Sequence, residues 1–328
     1  MEKVSFTDHF SLKLQLKASA FMRHYAVKHR YAKGDQEQSV KYNMDVSYVR
    51  TLLDRSRIFR LERSEDVYVN DSEPDLIADE LAYACGKVFY PLLLEIDFEG
   101  KYLSVYNYDE IIARWKTLRP KVNEYFKGIY TEKYLDLMDL ALSSSEQVSR
   151  IFRQDLFVTS FFVPLYINYG PELKKENQVS VPLLSRVDPF RFASVQQVNP
   201  LLNEAGNVEI ECKGNACDPR TEQDLLDGHC FPIEQLTNPE ATALTGEYAA
   251  RYVLEPETKA IRSIYATWLL DFESQEETEL KIFEILEQDQ QEIKEQGQEP
   301  IRPGMVFIDG GKSGKERKIT SIFNFLWD

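Results

Sequence analysis

The chain has 328 residues, a formal net charge of −15 and 43% apolar residues, values that are typical of a folded globular protein and not of a disordered one. A single hydrophobic core rarely grows to serve a chain of this length, so two domains or lobes are expected. The acidic balance argues against a nucleic-acid partner, because most of the surface would repel phosphates.

The first apolar residues alternate with Ser, Lys and Gln, whereas a secretory signal would carry a continuous apolar run. No apolar run approaches the roughly 18 residues that a membrane-spanning helix needs. We therefore predict a cytoplasmic protein without a membrane span. No cofactor motif is recognisable, and no cofactor is predicted.

Alternation of apolar and polar residues predicts strands through most of the first 70 residues. The pattern is cleanest from Phe10 to Leu16 and recurs over 23–31 and 40–48, on either side of a polar loop. Residues 58–61 and 67–69 continue it. Neighbouring strands joined by such short loops are expected to pair antiparallel, and a helix is predicted to follow from Glu73-Pro74 to about Val88.

The stretch from Tyr90 to Lys127 combines strand, turn and helix signals. Alternation over 92–98, a turn at Gly100 and a return strand over 102–106 predict a hairpin, since glycine accepts a positive φ at little cost. Asn107 is then predicted to cap a helix, with a reciprocal hydrogen bond from Glu110.

The predicted helix carries one apolar stripe, made by Ile111, Trp115, Leu118, Val122 and Tyr125. Pro120 is expected to bend its axis. We interpret this helix as the central element on which the flanking sheets pack.

The rest of the chain is predicted to be first helical and then β-rich. Helices are expected over 131–142 and 144–160, a linker over 169–175, and strands over 179–184, 192–202, 208–212, 246–272 (a long hairpin), 280–286, 305–308 and 319–325. Residues 287–299 form a charged connector. The predicted class is α+β, with antiparallel hairpin-rich sheets before and after a helical middle. An N-terminal lobe is placed at 1–170 and a C-terminal β-rich lobe at 171–328.

Three of the four cysteines and one histidine fall within 212–230, and they are the weak candidates for a metal site: Cys212, Cys217, His229 and Cys230. Zinc takes four such ligands in a tetrahedron. The first cysteine pair is loosely spaced, and adjacent His and Cys side chains do not easily face one ion. No metal is therefore predicted; the alternatives are a disulfide between the first two cysteines, reduced thiols in a loop, or Cys-His catalysis.

Charge is distributed unevenly along the chain. Residues 1–63 hold thirteen Lys and Arg against seven Asp and Glu, whereas 271–299 hold eleven acids against two lysines. The acidic run is interpreted as a surface for a basic protein partner, represented by Glu276, Glu277, Glu279 and Glu287. Two alternatives are that it docks on the basic half of the same chain, or that both runs are solvated faces.

Three classes of function remain open from the sequence. The favoured one is a non-enzymatic soluble interaction protein, such as an adaptor or an inhibitor of a basic protein, because an acidic run is present and no catalytic motif is recognisable. The second is a carrier that holds a small hydrophobic ligand in a half-barrel cavity. The third is an enzyme whose catalytic residues are dispersed along the chain.

Overall fold

The structure is a computed structural model that describes residues 2–73, 76–185 and 187–286, together with the backbone of 306–307. Its strands are β1 (Met22–Lys33), β2 (Gln36–Thr51), β3 (Arg57–Val69), β4 (Leu92–Ile96), β5 (Tyr102–Val105), β6 (Phe126–Lys127), β7 (Lys174–Val181), β8 (Phe190–Val198), β9 (Val208–Ala216), β10 (Gly246–Leu254), β11 (Ile261–Leu270), β12 (Glu276–Glu284) and β13 (Val306–Phe307). Its helices are α1 (Ile77–Gly86), α2 (Tyr108–Tyr125), α3 (Ile129–Ala141), α4 (Ser145–Arg153), α5 (Leu156–Phe161), α6 (Glu222–Leu226) and α7 (Glu234–Thr237).

Eleven of the described strands form one sheet in the order β5-β4-β3-β2-β1-β12-β11-β10-β9-β8-β7. Every neighbouring pair in it is antiparallel. The predicted α+β class with a large antiparallel sheet is confirmed. The strands before and after the helical middle belong to the same sheet, joined where β1 pairs with β12. The division into lobes at residue 170 stays a prediction.

One face of this sheet is buried and the other faces solvent. On β10, Tyr248, Ala250 and Tyr252 are buried while Ala249 and Arg251 between them are exposed, as the two-residue period of a strand requires. The helical middle supplies the cover, because the Tyr252 hydroxyl donates a hydrogen bond of 3.1 Å to the Ser160 carbonyl next to the end of α5.

Aromatic rings fill the space between the sheet and α5. The Phe161 ring lies 5.1 Å from Tyr25 and 6.2 Å from Phe21, both edge to face, and Phe21 contacts Phe59 in the same way. Such edge contacts add a modest stabilisation to the burial of the rings. The sequence predicts a single helix over 144–160; the structure has two, because the Asp155 side chain accepts from the Val158 amide (2.8 Å) and starts α5 anew.

The predicted apolar stripe of α2 is largely buried. Ile111, Trp115 and Val122 lie inside, and the indole of Trp115 donates to the Asp139 carboxylate of α3 at 2.7 Å. The neighbours of α2 are chiefly α1 and α3. Direct packing of the sheet on α2 is unconfirmed.

The predicted cap of α2 is wrong in detail. The side-chain oxygen of Asn107, Oδ1, accepts from the Leu93 amide of β4 (2.9 Å). Its side-chain NH₂ group donates to the Pro91 carbonyl (2.9 Å) and to the Glu110 carboxylate (3.2 Å). Asn107 therefore ties the start of the helix to the adjoining strand instead of capping the helix amides. The turn prediction at Gly100 is confirmed, with a φ of 103°.

The strand predicted from Phe10 to Leu16 does not form. Leu12 has a φ of 47°, and Asp8 accepts from the amides of both Phe10 and Leu12 (2.8 Å each), so the chain turns here. Phe10 is wholly exposed, whereas Leu14 and Leu16 are buried. A local Asp-centred turn outweighs the alternating pattern.

Two predictions for the end of the chain fall outside the described residues: the connector at 287–299 and the strand at 319–325. The backbone of β13, within the strand predicted at 305–308, pairs parallel with β6. No helix in the described part of the chain has both the length and the apolar character to cross a membrane.

A buried histidine interrupts the apolar face of β1. His29 Nε2 lies 3.0 Å from the Tyr42 hydroxyl, and Nδ1 has no partner in the described residues. Its ring stacks against Tyr31 and Tyr42. Burial lowers the pKa of His29 from 6.5 to about 4, because the charged ring would lose its hydration.

Replacing Trp115 by Ala should lower the free energy of unfolding by about 3–5 kcal/mol, because a buried ring and its hydrogen bond are both removed. Urea unfolding followed by circular dichroism measures the change. Lys116→Ala is the matched control, since that side chain is exposed on the same helix turn. Equal unfolding midpoints for the two variants would show that α2 is peripheral to the fold.

The neutral state of His29 should make folding sensitive to acid. Between pH 6.5 and 4 the unfolded histidine binds a proton that the folded one does not, so lowering the pH through this window should cost about 3 kcal/mol. His29→Gln should remove that part of the pH dependence. His24→Gln is the control, since His24 pairs with Asp45 on the solvent face. Identical pH profiles for wild type and His29→Gln would contradict the assignment.

Candidate interaction surface

Three of the four glutamates predicted to bind a basic partner lie on β12, directly beside the basic strand β1. Glu276 pairs with Lys33, and Glu277 accepts from Arg30 at 3.0 Å. These contacts follow from the strand register, in which Lys33 lies opposite Glu276. Cross-strand pairs of opposite charge add a small stabilisation.

Glu279 also has partners within the chain. Its carboxylate accepts from the Tyr265 hydroxyl (3.0 Å) and lies 2.8 Å from the Lys281 amine. Burial alone would raise its pKa, but these two hydrogen bonds and the nearby cations outweigh burial and lower it. Glu287 lies outside the described residues. The role of these four side chains in partner binding stays a prediction.

The weak metal candidates are spread over separate elements. Cys212 points into the core from β9, where burial raises its pKa to about 12, so its thiol stays protonated. Cys217 is exposed just beyond the same strand, and His229 and Cys230 lie between α6 and α7. All four cysteines are free thiols. The described residues contain no group of three or more His, Cys, Asp and Glu that could hold a metal ion.

The structure draws attention to a different region, residues 221–240, which we call the acidic apolar segment. It holds α6, α7 and their connection. Four large apolar side chains within eleven residues are solvent-exposed there, the most exposed being Phe231 at 72% and Leu236 at 81%, together with Leu226 and Ile233. Exposed apolar residues scattered singly are normal, whereas four in so short a stretch mark the segment as a candidate interaction site.

One buried carboxylate orders this segment. Asp224 accepts hydrogen bonds from the Ile233 and Glu234 amides (2.9 Å each), and from the Thr221 amide and hydroxyl (3.1 and 3.0 Å). His229 Nδ1 lies 3.4 Å away. Burial alone would raise the pKa of Asp224, yet the hydrogen bonds outweigh it and lower the pKa to about 2. The exposed side chains are thus held on a fixed backbone.

The segment is also anchored to the residues that surround it. The Leu225 side chain of α6 is buried, and the backbone amide of Leu244 donates to the Arg220 carbonyl at 2.9 Å. The Arg220 guanidinium is itself locked to the buried Asp218 carboxylate at 2.8 Å. The Glu222 carboxylate accepts from the Glu273 amide at 3.2 Å. Anchors on both sides of α6 fix the orientation of the exposed residues.

The acidic apolar segment contains five Asp and Glu and no Lys or Arg. In the described residues no Lys or Arg side chain forms a salt bridge with any of these five acids. Sequence reasoning missed this region because its apolar residues follow neither a helical nor a strand period. The sequence feature that could have identified this region is a stretch that combines apolar residues with acids, lacks Lys and Arg, and contains the turn-forming residues Gly228, Pro232 and Pro239.

No known protein-family model matches this chain, and no curated protein is similar to it in sequence.

Asp224→Asn should loosen the acidic apolar segment selectively. The amide keeps the size but replaces one accepting oxygen by an NH₂ group, so at least one of the amides now bound becomes unpaired. Hydrogen exchange read by mass spectrometry should accelerate in peptides that cover 226–237 while the peptides of β10 and β11 keep their protection. Asp227→Asn, an exposed neighbour, is the control. Unchanged exchange in 226–237 would refute the role of Asp224.

Proposed function

We propose that the protein is a non-enzymatic interaction protein whose acidic apolar segment binds a partner that presents basic and apolar side chains together. The observation that carries the proposal is the exposure of Leu226, Phe231, Ile233 and Leu236 on a backbone fixed by Asp224. For the carrier alternative, the cavity beside Arg57 has a volume of only about 10 Å³, too small for a lipid-like ligand.

The apolar side chains supply the affinity in this proposal. Burial of apolar surface contributes roughly 25 cal/mol per Å², and large side chains at the centre of an interface carry most of the binding free energy. Phe231 and Leu236 are the natural anchors, because they are the most exposed of the four. A partner would therefore offer a pocket or groove lined by apolar groups.

The charge of the segment selects the partner. Five acids without a Lys or Arg give a local excess of negative charge, which attracts cationic surfaces and repels acidic ones. The attraction acts over about a Debye length, roughly 8 Å at physiological ionic strength, so it weakens as salt is added. An amphipathic segment rich in Lys or Arg fits both requirements.

The fixed backbone of the acidic apolar segment also favours a role in partner binding. A loop that must become ordered on binding loses affinity through conformational entropy, whereas a loop already held in place loses little. The hydrogen bonds to Asp224 and the anchors at Leu225 and Arg220 hold the backbone of the segment before any partner arrives. The side chains then need only small adjustments.

The acidic run on β12 remains a second candidate surface for the same partner chemistry. Its carboxylates already have cations of their own chain, so a partner would have to compete with Arg30, Lys33 and Lys281. For this reason we place the interface at 221–240. The ion pairs of β12 with Arg30 and Lys33 also agree with the alternative interpretation that the acidic run of 271–299 docks on the basic residues of 1–63 in the same chain.

Fluorescence anisotropy with a labelled amphipathic peptide tests the proposal, the probe being a helical peptide with Lys on one face and Leu on the other. The full chain should bind it, and Phe231→Ser combined with Leu236→Ser should weaken binding about tenfold or more. The matched control is Phe10→Ser with Leu53→Ser, which removes two still more exposed apolar side chains elsewhere.

Two further comparisons separate the surfaces. A peptide with Glu in place of Lys should bind poorly. Replacing Glu276, Glu277 and Glu279 by Gln should change the affinity for the Lys peptide by no more than about twofold. The same replacement should lower the thermal stability of the protein in a salt-dependent way, because ion pairs with β1 are lost. Equal loss in both serine double variants would refute a specific role for 221–240. A large loss in the glutamine variant alone would move the interface to β12.

A further inference from the structure

Arg57 is a buried cation that forms no salt bridge with any acid in the described part of the chain. It lies on β3 with only 5% of its surface exposed, and its guanidinium stacks over the Phe98 ring at 4.4 Å. The one side-chain hydrogen bond that it makes within the described residues is long, from Nη2 to the Leu16 carbonyl at 3.5 Å. Nη1 is buried and has no partner in the described residues.

Two other arginines, one buried and one half-buried, are better satisfied, although Nη1 of Arg220 likewise has no partner in the described residues. Arg220 pairs with the Asp218 carboxylate through two nitrogens, both at 2.8 Å. Arg114 donates to the carbonyls of Val88, Phe89 and Pro91 at 2.8–3.3 Å. Arg57 stands apart, because burying an ionised group without an opposite charge costs far more than burying a paired one.

The carboxylate of Asp97 compensates the charge of Arg57 only weakly. Asp97 is near enough to favour the charged state of Arg57, yet it forms no salt bridge with it in the described part of the chain. One oxygen of its carboxylate accepts from the Glu99 and Lys101 amides (2.9 and 2.8 Å). Burial is the dominant influence on Arg57, and it lowers the pKa of the guanidinium.

A small cavity adjoins the Arg57 side chain. Its volume is about 10 Å³, close to the minimum that one water-sized guest needs. Apart from Arg57, the walls are mainly apolar and aromatic, contributed by residues such as Phe21, Phe59, Ile96, Phe161 and Ile261. The Tyr166 hydroxyl is already bonded to the Lys259 carbonyl at 3.1 Å.

We propose that this cavity is a binding site for a single chloride ion, held against the unpartnered Nη1 of Arg57. A monatomic anion is the smallest form in which a negative charge can enter so small a cavity, and it neutralises a buried guanidinium that no carboxylate of the described residues pairs with. Hydrogen bonds to a charged group are stronger than those to a neutral one. The apolar rings then exclude water from the pair.

The position of the site predicts its effect. The cavity is lined from β3, β4, β11 and the end of α5, so the bound ion touches both halves of the sheet and the helical cover. A ligand that binds only the folded chain raises the unfolding temperature with its concentration. Chloride should therefore act as a structural ligand of the whole fold.

Thermal unfolding by circular dichroism tests this, in buffers of constant ionic strength in which sodium gluconate is replaced stepwise by sodium chloride. The wild type should gain a few degrees in Tm, with saturation. Arg57→Met should lose the chloride dependence, whereas Arg114→Met should lose stability but keep it. A wild-type Tm that ignores chloride, or a shift retained in Arg57→Met, would overturn the proposal.

Crystals of the wild-type chain grown in sodium bromide provide a measurement that does not depend on the variants folding. An anomalous peak within hydrogen-bond distance of Arg57 Nη1 is expected, because bromide is the closest heavy analogue of chloride. Density for a water without anomalous signal would show that Arg57 is only hydrated, and the chloride site would be withdrawn.

Discussion

The pairing of β1 with β12 is the contact on which the architecture depends. It joins the strands that precede the helical middle to those that follow it, and β5 and β7 become opposite edges of one sheet. Since β5 and β7 are also consecutive among the strands of that sheet, the chain between them must travel from one edge to the other. Ten strand spacings amount to roughly 48 Å in a flat sheet. The helices from α2 to α5 make this crossing, and the Phe161 and Tyr252 contacts place its end on the buried face.

Local sequence patterns were sufficient to predict most strands and helices of this fold, but they were insufficient to predict how these elements pair and pack. Alternation located strands such as β1, β10 and β11, whose inward residues are large and apolar. It failed at Phe10 to Leu16, where an Asp8 turn with Leu12 at positive φ competes successfully with a pattern of the right period. It could not supply the β1–β12 register, because partners about 250 residues apart leave no trace in a short window. The one continuous sheet therefore became visible only in three dimensions.

Local sequence patterns were even less able to predict the candidate interaction surface. A charge count finds the acids of β12, but it cannot see that Arg30 and Lys33 lie opposite them across a strand pair. The exposed apolar residues of 221–240 escape a periodicity search, since short helices and turns impose no long repeat. Asp224 would read as one more acid in an acidic stretch, although it is buried and accepts four hydrogen bonds. Burial, which separates these cases, is not a property of the local sequence.

Charge compensation connects these observations. Where acids and cations are brought together by strand pairing, as on β1 and β12, the field they present to a partner is reduced and the contacts mainly stabilise the sheet. In 221–240 the acids have no Lys or Arg within their own segment, so their field extends into solvent. Arg57 is the converse case, a cation beside aromatic and apolar walls with no acid bound to it among the described residues. In both places the described part of the chain leaves a charge unmatched, and we propose that a group from outside the chain matches it: a cationic partner at the surface and a small anion in the interior.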